Sequence, residues 1–276
     1  MPASLDQIVA ATRRSVAGIK LSADVRQLDR QAANHVPRGF RRGLESKIQD
    51  GIAVIAELKR ASPSRGLIRS DFDPESLTEE LDRAGAAALS VLTDAEFFQG
   101  SLENLRRASA STKLPCLRKD FIVDEFQLLE ARANCADAIL LIVAALSEAE
   151  LKALAARAAD YRLDVLCEVH DEEELQRAVD LGCTLIGVNS RDLRTFKVDL
   201  DTALRLAHSI PKNALCVAES GINSGADIAR LRSAGYQAFL IGESLMKARS
   251  PGEALRSLLA DAGRESHALI RTSPSH

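Results

Sequence analysis

Leu114-Pro115-Cys116-Leu117-Arg118-Lys119-Asp120-Phe121 is a short apolar run that gives way abruptly to charge. Comparable runs recur after Gly51, near Ala53-Leu58, Ala88-Leu92, Ala138-Ile142, Asp164-Cys167, Leu185-Val188, Ala214-Ala218 and Ala238-Ile241, eight in all with Pro115-Leu117. The stretches between them have helical spacing, and this alternation is the pattern of βαβ units on a parallel sheet. Asp73 before Pro74, Ser147 with Glu150 and Asp171 with Glu174 supply helix starts, each a capping oxygen beside a first-turn partner.

An internal repeat decides how the sheet ends. Ala84-Gly85, Asn134-Cys135, Leu181-Gly182 and Ala234-Gly235 recur roughly every 50 residues, each just ahead of an even-numbered strand, with Cys135 where glycine is expected. A two-strand unit repeated four times closes on itself, whereas an open doubly wound sheet needs a reversal of strand order that the repeat does not suggest. The expected fold is α/β, a single (β/α)8 TIM barrel over residues 51–263. A helical extension over residues 1–50, opened by a Ser4/Gln7 capping box, precedes it, and a tail over residues 264–276 is expected to fray.

The 276 residues, 46% hydrophobic, suffice for one core of that size. A net charge of -3 and a pI near 6.0 give no global field for nucleic acid or an anionic membrane, so neither is an expected partner. Neither G-x-G-x-x-G nor G-x-x-x-x-G-K-[ST] occurs. The five cysteines form no C-x-x-C pair and read as small buried hydrophobes of a reducing compartment. The N-terminus has no secretory apolar region, and the default is a soluble cytoplasmic protein.

In a closed barrel the strand ends gather at one face. They read Glu57 and Lys59, then Thr93, Lys119, Leu140, Glu168, Asn189, Ser220 and Gly242. Lys119 and Glu168 are the candidate acid and base, since desolvation lowers a lysine and raises a glutamate toward neutral pH. The competing readings are a surface Lys119 paired with Asp120, a structural Glu57–Lys59 pair, and a surface Glu168 beside a structural His170. Ser220-Gly221-Ile222 and Gly242-Glu243-Ser244, after the last two strands, read as a backbone cup for phosphate or as tight turns. Phe97-Phe98, Phe121 and Leu140 concentrate apolar surface at the same mouth in a chain with 4% aromatics, suiting a flat ring or plain core packing.

With these residues placed, five stretches resemble the indole-3-glycerol phosphate synthase family. They are Ile55-Ala56-Glu57-Leu58-Lys59-Arg60-Ala61-Ser62-Pro63-Ser64, Leu117-Arg118-Lys119-Asp120-Phe121-Ile122, Leu166-Cys167-Glu168-Val169-His170, Ile186-Gly187-Val188-Asn189-Ser190-Arg191-Asp192-Leu193 and Ala218-Glu219-Ser220-Gly221-Ile222. The resemblance runs from about Leu5 to Ala260. It implies a decarboxylating, dehydrating ring closure on a phosphorylated anilino-sugar in tryptophan biosynthesis, with no cofactor and no metal.

By motif, the resemblance makes Lys119 the general acid, Lys59 a partner of substrate anions or of dehydration, and Glu168 a participant in dehydration. Glu57 positions the lysines and Asn189 orients substrate. Ser62, Phe98, Phe121, Leu140 and Arg191 shape the cleft, and Ser220, Gly221, Gly242 and Glu243 hold phosphate largely through backbone. Association with other tryptophan-pathway enzymes is a further expectation. The rivals are a phosphoribosylanthranilate isomerase, which would use a Cys base and an Asp acid, and a non-catalytic phosphate-binding barrel in a pathway complex. Lys and Glu at the strand tips, in place of Cys and Asp, argue against the isomerase, and they argue against the scaffold because isolated inward charges cost several kcal/mol to bury without a task.

Overall fold

The computed structural model describes residues 4–192 and 195–272. Its eight barrel strands are β1 (Ala53–Leu58), β2 (Ala88–Leu92), β3 (Cys116–Lys119), β4 (Ala138–Ile142), β5 (Asp164–Val169), β6 (Leu185–Asn189), β7 (Leu215–Glu219) and β8 (Ala238–Ile241). Each pairs in parallel with the next, and β8 returns to β1 through a register running from Ala53↔Ala238 to Ala56↔Ile241. The TIM barrel expected from the sequence is the fold observed. Strands β3, β6 and β7 each end on a polar or charged residue, Lys119, Asn189 and Glu219, and β5 continues past Cys167 through Glu168 to Val169, because ladder bonding continues where the side chain turns inward.

Strand alternation sorts the chain into two layers. Ala53, Ile55, Leu117, Leu140, Leu166 and Val217 fill the barrel, while Val54, Ala56, Cys116, Ile139, Cys167 and Ala218 pack outward under the helices. Both faces are dry, so the strands read as continuous apolar runs. Each fully buried large aliphatic contributes about 1.5–3 kcal/mol.

Helix Pro74–Arg83 starts where Asp73 accepts from Ser76 N, and helix Glu148–Asp160 where Ser147 and Glu150 close a reciprocal box. Asp171 caps helix Glu172–Asp180, but the Glu174 carboxylate reaches back to His170 N instead of closing a box. The repeated stops hold: Gly85, Cys135, Gly182 and Gly235 all have positive φ. At +64° Cys135 takes the left-handed turn that its three counterparts leave to glycine.

The extension folds as α1 (Leu5–Ser22), α2 (Val25–Asn34) and α3 (Phe40–Asp50), with the Ser4/Gln7 box in place and an Asp24 cap beginning α2. Phe40 and Leu44 of α3 are fully buried against Ala53, Ile55 and Ala87 and plug the end of the barrel away from the strand tips. A buried clamp adds to this plug. Asp137 accepts from Arg38 N at 2.7 Å, Arg38 Nε at 2.9 Å and Cys116 N at 2.7 Å, and lies 3.1 Å from His35 Nε2.

Two expectations are corrected. Helix Pro251–Thr272 continues where fraying was expected after Gly263, since no proline follows until Pro274; Leu193 and residues 273–276 lie outside the described residues. Cys167 is joined to Cys183 in a disulfide, so it is not simply a small buried hydrophobe. Cys183 follows the Gly182 stop, and the turn brings it back against the outer face of β5, a proximity that a spacing of 16 hides. Cys116 and Cys216 are buried thiols, as read, and burial pushes them up to about 12 and about 11.

Candidate active site

Inward alternation carries past the apolar layers to the strand tips. There it delivers Glu57 and Lys59 from β1, Lys119 from β3, Glu168 from β5, Asn189 from β6 and Glu219 from β7. They meet in one cavity of about 580 Å³. Every residue to which the resemblance gave a catalytic, substrate-binding or phosphate-binding role lines it, whereas Phe97, expected at the same mouth, does not and packs on the inner core layer. Thr93 does not share it: the β2 alternation turns Thr93 outward, where its Oγ1 donates to Asp120 Oδ2 at 2.6 Å. Arg118 takes the same outer side and pairs with Asp120 at 3.0 Å and Glu130 at 3.3 Å. Lys119 therefore has no surface pairing with Asp120.

Lys119 Nζ donates to Glu168 Oε2 at 2.8 Å and lies 3.5 Å from Glu219 Oε2, while Lys59 Nζ donates to Glu57 Oε1 at 2.6 Å. The cluster reverses the pKa directions expected from desolvation alone. Burial does disfavour the Lys119 ammonium, but Glu168, Glu219 and Glu57 outweigh it, and Lys119 is raised well above the usual lysine range. Burial likewise opposes the Glu168 carboxylate, yet Lys119 and His170 hold it far below the usual range. The displaced proton preference falls on Glu219, raised to about 8 by burial together with Glu168 and Glu57, against the pull of Lys119. Glu219 Oε1 is buried without a hydrogen-bond partner among the described residues.

The apolar wall holds Phe98 and Phe121, with ring centroids 6.3 Å apart and planes tilted by 40°, beside Leu140. Leu5 and Ile8 of α1 complete it, so the extension contributes to the site directly. Ser62 adds a buried hydroxyl without a partner among the described residues. Asp94, at the foot of the Phe98 segment, is raised to about 6, chiefly by burial and against the N–H groups of Phe97 and Phe98.

Opposite lies the cup. Ser220 and Gly221 are consecutive positive-φ residues, and a Cβ on Gly221 would come within 2.6 Å of Val198 Cγ1, so this turn requires glycine. Gly242 lets Glu57 approach: a Cβ there would sit 2.5 Å from Glu57 Oε1. Glu243 and Ser244 begin helix Glu243–Lys247, where first-turn amides have no carbonyl a turn earlier to bond. The Glu243 carboxylate would repel an anion, but Lys247 at 2.6 Å, Arg65 at 3.1 Å and Arg191 at 3.2 Å draw it aside. Its pKa falls despite burial, through the same three cations. No group of three or more His, Cys, Asp or Glu among the described residues could hold a metal ion.

The sequence reading missed Glu219, Leu5 and Ile8. Glu219 had a usable signal in Gly187, a glycine inside a strand, which marks a close approach by something else. Leu5 and Ile8 follow the Ser4/Gln7 cap on one helix face, but nothing local says what that face meets.

Comparison with known proteins bears on the whole chain. A family model described as indole-3-glycerol phosphate synthase matches residues 5–258. An indole-3-glycerol phosphate synthase of Koribacter versatilis is 60% identical over 94% of this chain and 100% of its own length. One of Leptothrix cholodnii is 48% identical over 93% and 98%. Among solved structures, a mandelate oxidase variant superposes with TM-score 0.61 at 16% identity, over 88% of this chain and 94% of its own. A thiamine phosphate pyrophosphorylase from Pyrococcus furiosus superposes with TM-score 0.58 at 16% identity, over 78% and 96%. At such identities the likeness is one of fold alone.

Proposed function

The chain belongs to the indole-3-glycerol phosphate synthase family, and from that premise we propose how its charged residues divide the work. It is a lyase of tryptophan biosynthesis that acts on a small phosphorylated substrate. The reaction closes the indole ring of 1-(2-carboxyphenylamino)-1-deoxyribulose 5-phosphate and releases carbon dioxide and water. Closure places negative charge on a carbonyl oxygen, which must gain a proton; that oxygen later leaves as water.

Lys119 is the acid. The observation that carries this role is its ammonium, buried and held between Glu168 and Glu219 while facing the cavity. The Glu168 and Glu57 carboxylates keep it charged until a carbonyl oxygen arrives. Glu219, which retains a proton near neutral pH and lies 3.5 Å away, can then reload it. Glu168 accepts the proton lost during dehydration. Lys59, anchored by Glu57, meets the substrate carboxylate and assists departure of the hydroxyl. Asn189, whose Oδ1 accepts from Arg191 N at 3.0 Å, orients the substrate.

Phe98, Phe121 and Leu140 take the aromatic ring, with Ser62 and Arg191 near its carboxylate. Ser220, Gly221, Gly242 and Glu243 hold phosphate through backbone. The same reading treats residues 51–263 as the catalytic barrel, with the 1–50 extension packed on it and 264–276 as a tail. No described helix is long and apolar enough to cross a membrane. A cytoplasmic location and association with other tryptophan-pathway enzymes suit this metabolic role, and fractionation and co-elution test them.

The direct test supplies the anilino-deoxyribulose phosphate to the lone purified chain and follows indole fluorescence. One equivalent of carbon dioxide per fluorescent product supports the assignment. A silent chain points to the non-catalytic barrel.

A further inference from the structure

The inward alternation of β5 does not stop at Glu168. His170, two residues on, brings Nε2 to 3.5 Å from Glu168 Oε1, and its Nδ1 lies 2.9 Å from Glu174 Oε2. The same Glu174 oxygen accepts from His170 N at 2.8 Å. Glu174 is itself fixed, since its N–H donates to the Asp171 cap of helix Glu172–Asp180 at 2.9 Å. The ring is thus anchored at its backbone and at one nitrogen, with its side chain only 12% exposed, and the other nitrogen is aimed at the carboxylate that grips Lys119. Glu174, His170, Glu168 and Lys119 form a continuous row from a helix cap to the acid.

We propose that His170 is a positioning residue for the ring closure: held by Glu174, it fixes the charge and direction of Glu168 against Lys119. This rests on the ring-closing reading of the site.

A ring between two carboxylates is favoured as the imidazolium; Nδ1 bonds Glu174, and Nε2, without a hydrogen-bond partner among the described residues, faces Glu168 across an ionic contact. Burial opposes that charge, but Glu168 and Glu174 outweigh it and push His170 up to about 10. These two carboxylates, one on β5 and one on the packed helix, face the ring. Lys119 of β3 and Glu219 of β7 act on it through Glu168. Arg177, the cation on the same helix, is engaged by the Val143 and Leu146 carbonyls. A contact of 3.5 Å is long for a hydrogen bond, but catalytic contacts of this kind commonly tighten when substrate binds. Without the imidazolium, Glu168 keeps Lys119 alone, becomes more basic, and has one oxygen free to turn.

The test measures kcat and KM against pH for wild type, His170→Asn and Glu174→Gln, with thermal melts to confirm folding. In His170→Asn, kcat should fall about 10-fold, short of the ~100-fold expected for loss of the acid itself, while KM stays within about 3-fold. The wild-type kcat should fall about 10-fold as pH rises through about 10, where the imidazolium is lost, and His170→Asn should lack that step. Glu174→Gln, a change at the helix start, should bring the step to lower pH. His170→Lys, which restores a cation, should recover part of the turnover at neutral pH. A His170→Asn profile that keeps the wild-type alkaline step, with that step unmoved in Glu174→Gln, overturns the proposal, while wild-type turnover keeps the ring-closing reading standing. A wild-type chain without turnover overturns both.

Discussion

Gly187 on β6 and Glu219 on β7 compete for one space: a Cβ added to Gly187 would overlap Glu219 Oε1 and come within 3.2 Å of Leu166 Cδ1. The absent side chain is what lets a third carboxylate approach Lys119. Gly187→Ala must push that carboxylate away, and a displacement of ~1 Å in a reacting site costs about 100-fold in rate. We expect kcat to fall by about that factor, with an overpacking cost of about 1–3 kcal/mol in stability. Steady-state kinetics with a denaturant melt checks this; wild-type kcat in the alanine variant would remove Glu219 from the acid's surroundings.

Lys119→Ala removes the proposed acid and should lower kcat by at least ~100-fold. It also leaves Glu168 and Glu219 buried without their shared cation, and removing one partner of a buried ion pair costs about 3–5 kcal/mol. Adding Glu168→Gln to Lys119→Ala should recover part of that stability and none of the turnover. Urea melts of the single and double variants, run beside fluorescence assays, separate the two effects. Retained turnover in Lys119→Ala would take the acid's role from it.

Glu219 should make stability fall as pH rises. Its folded pKa, raised to about 8, stands above the ordinary glutamate value of about 4.3, so between these values the native chain holds a proton that the unfolded chain has released. The favourable contribution is complete below the unfolded value and is lost on the way up through the folded one. Glu219→Gln cannot ionise. The difference in Tm between variant and wild type should therefore shift in the variant's favour from about pH 5 to about pH 8. Parallel melting curves across that window would show the carboxyl to be ordinarily acidic.

Much of this architecture is written in local pattern. A strand buried on both faces must be apolar over most of its length, so β1, β2, β4 and β8, interrupted only by Glu57 and Ser90, announce themselves, and left-handed stops mark the repeat even where Cys135 replaces glycine. The site is less legible because its chemistry is a matter of neighbours. Lys119 and Glu168 lie 49 residues apart, and only closure of the barrel shows that each fixes the other's charge, reversing what burial alone would do. Ending β7 at its last apolar residue hid Glu219, although alternation from Leu215 points it inward. The Cys167–Cys183 bond depends on how a turn comes back against a strand, which spacing does not encode.

The Asp137 clamp should decide whether the extension stays docked. Its carboxylate is fully buried and satisfied by Arg38, His35 and the Cys116 amide, and its pKa is held low by His35 and Arg38 against the effect of burial. Asp137→Ala leaves the Arg38 guanidinium without its counter-charge, though still bonded to Ser109 and Thr112, and a strand amide without its acceptor, a loss of about 3–5 kcal/mol. His35 adds a pH dependence: burial would lower its pKa, but Asp137 and Cys135 outweigh that and raise it. Its share of stability is complete below about 6.5 and is lost as pH climbs through the raised value. The Tm gap between wild type and His35→Gln should accordingly narrow above neutral pH. Because Leu5 and Ile8 on the same extension line the cavity, Asp137→Ala should also raise KM as the melt broadens. A variant that melts like wild type and binds substrate as well would show that α3 alone, through Phe40 and Leu44, holds the extension in place.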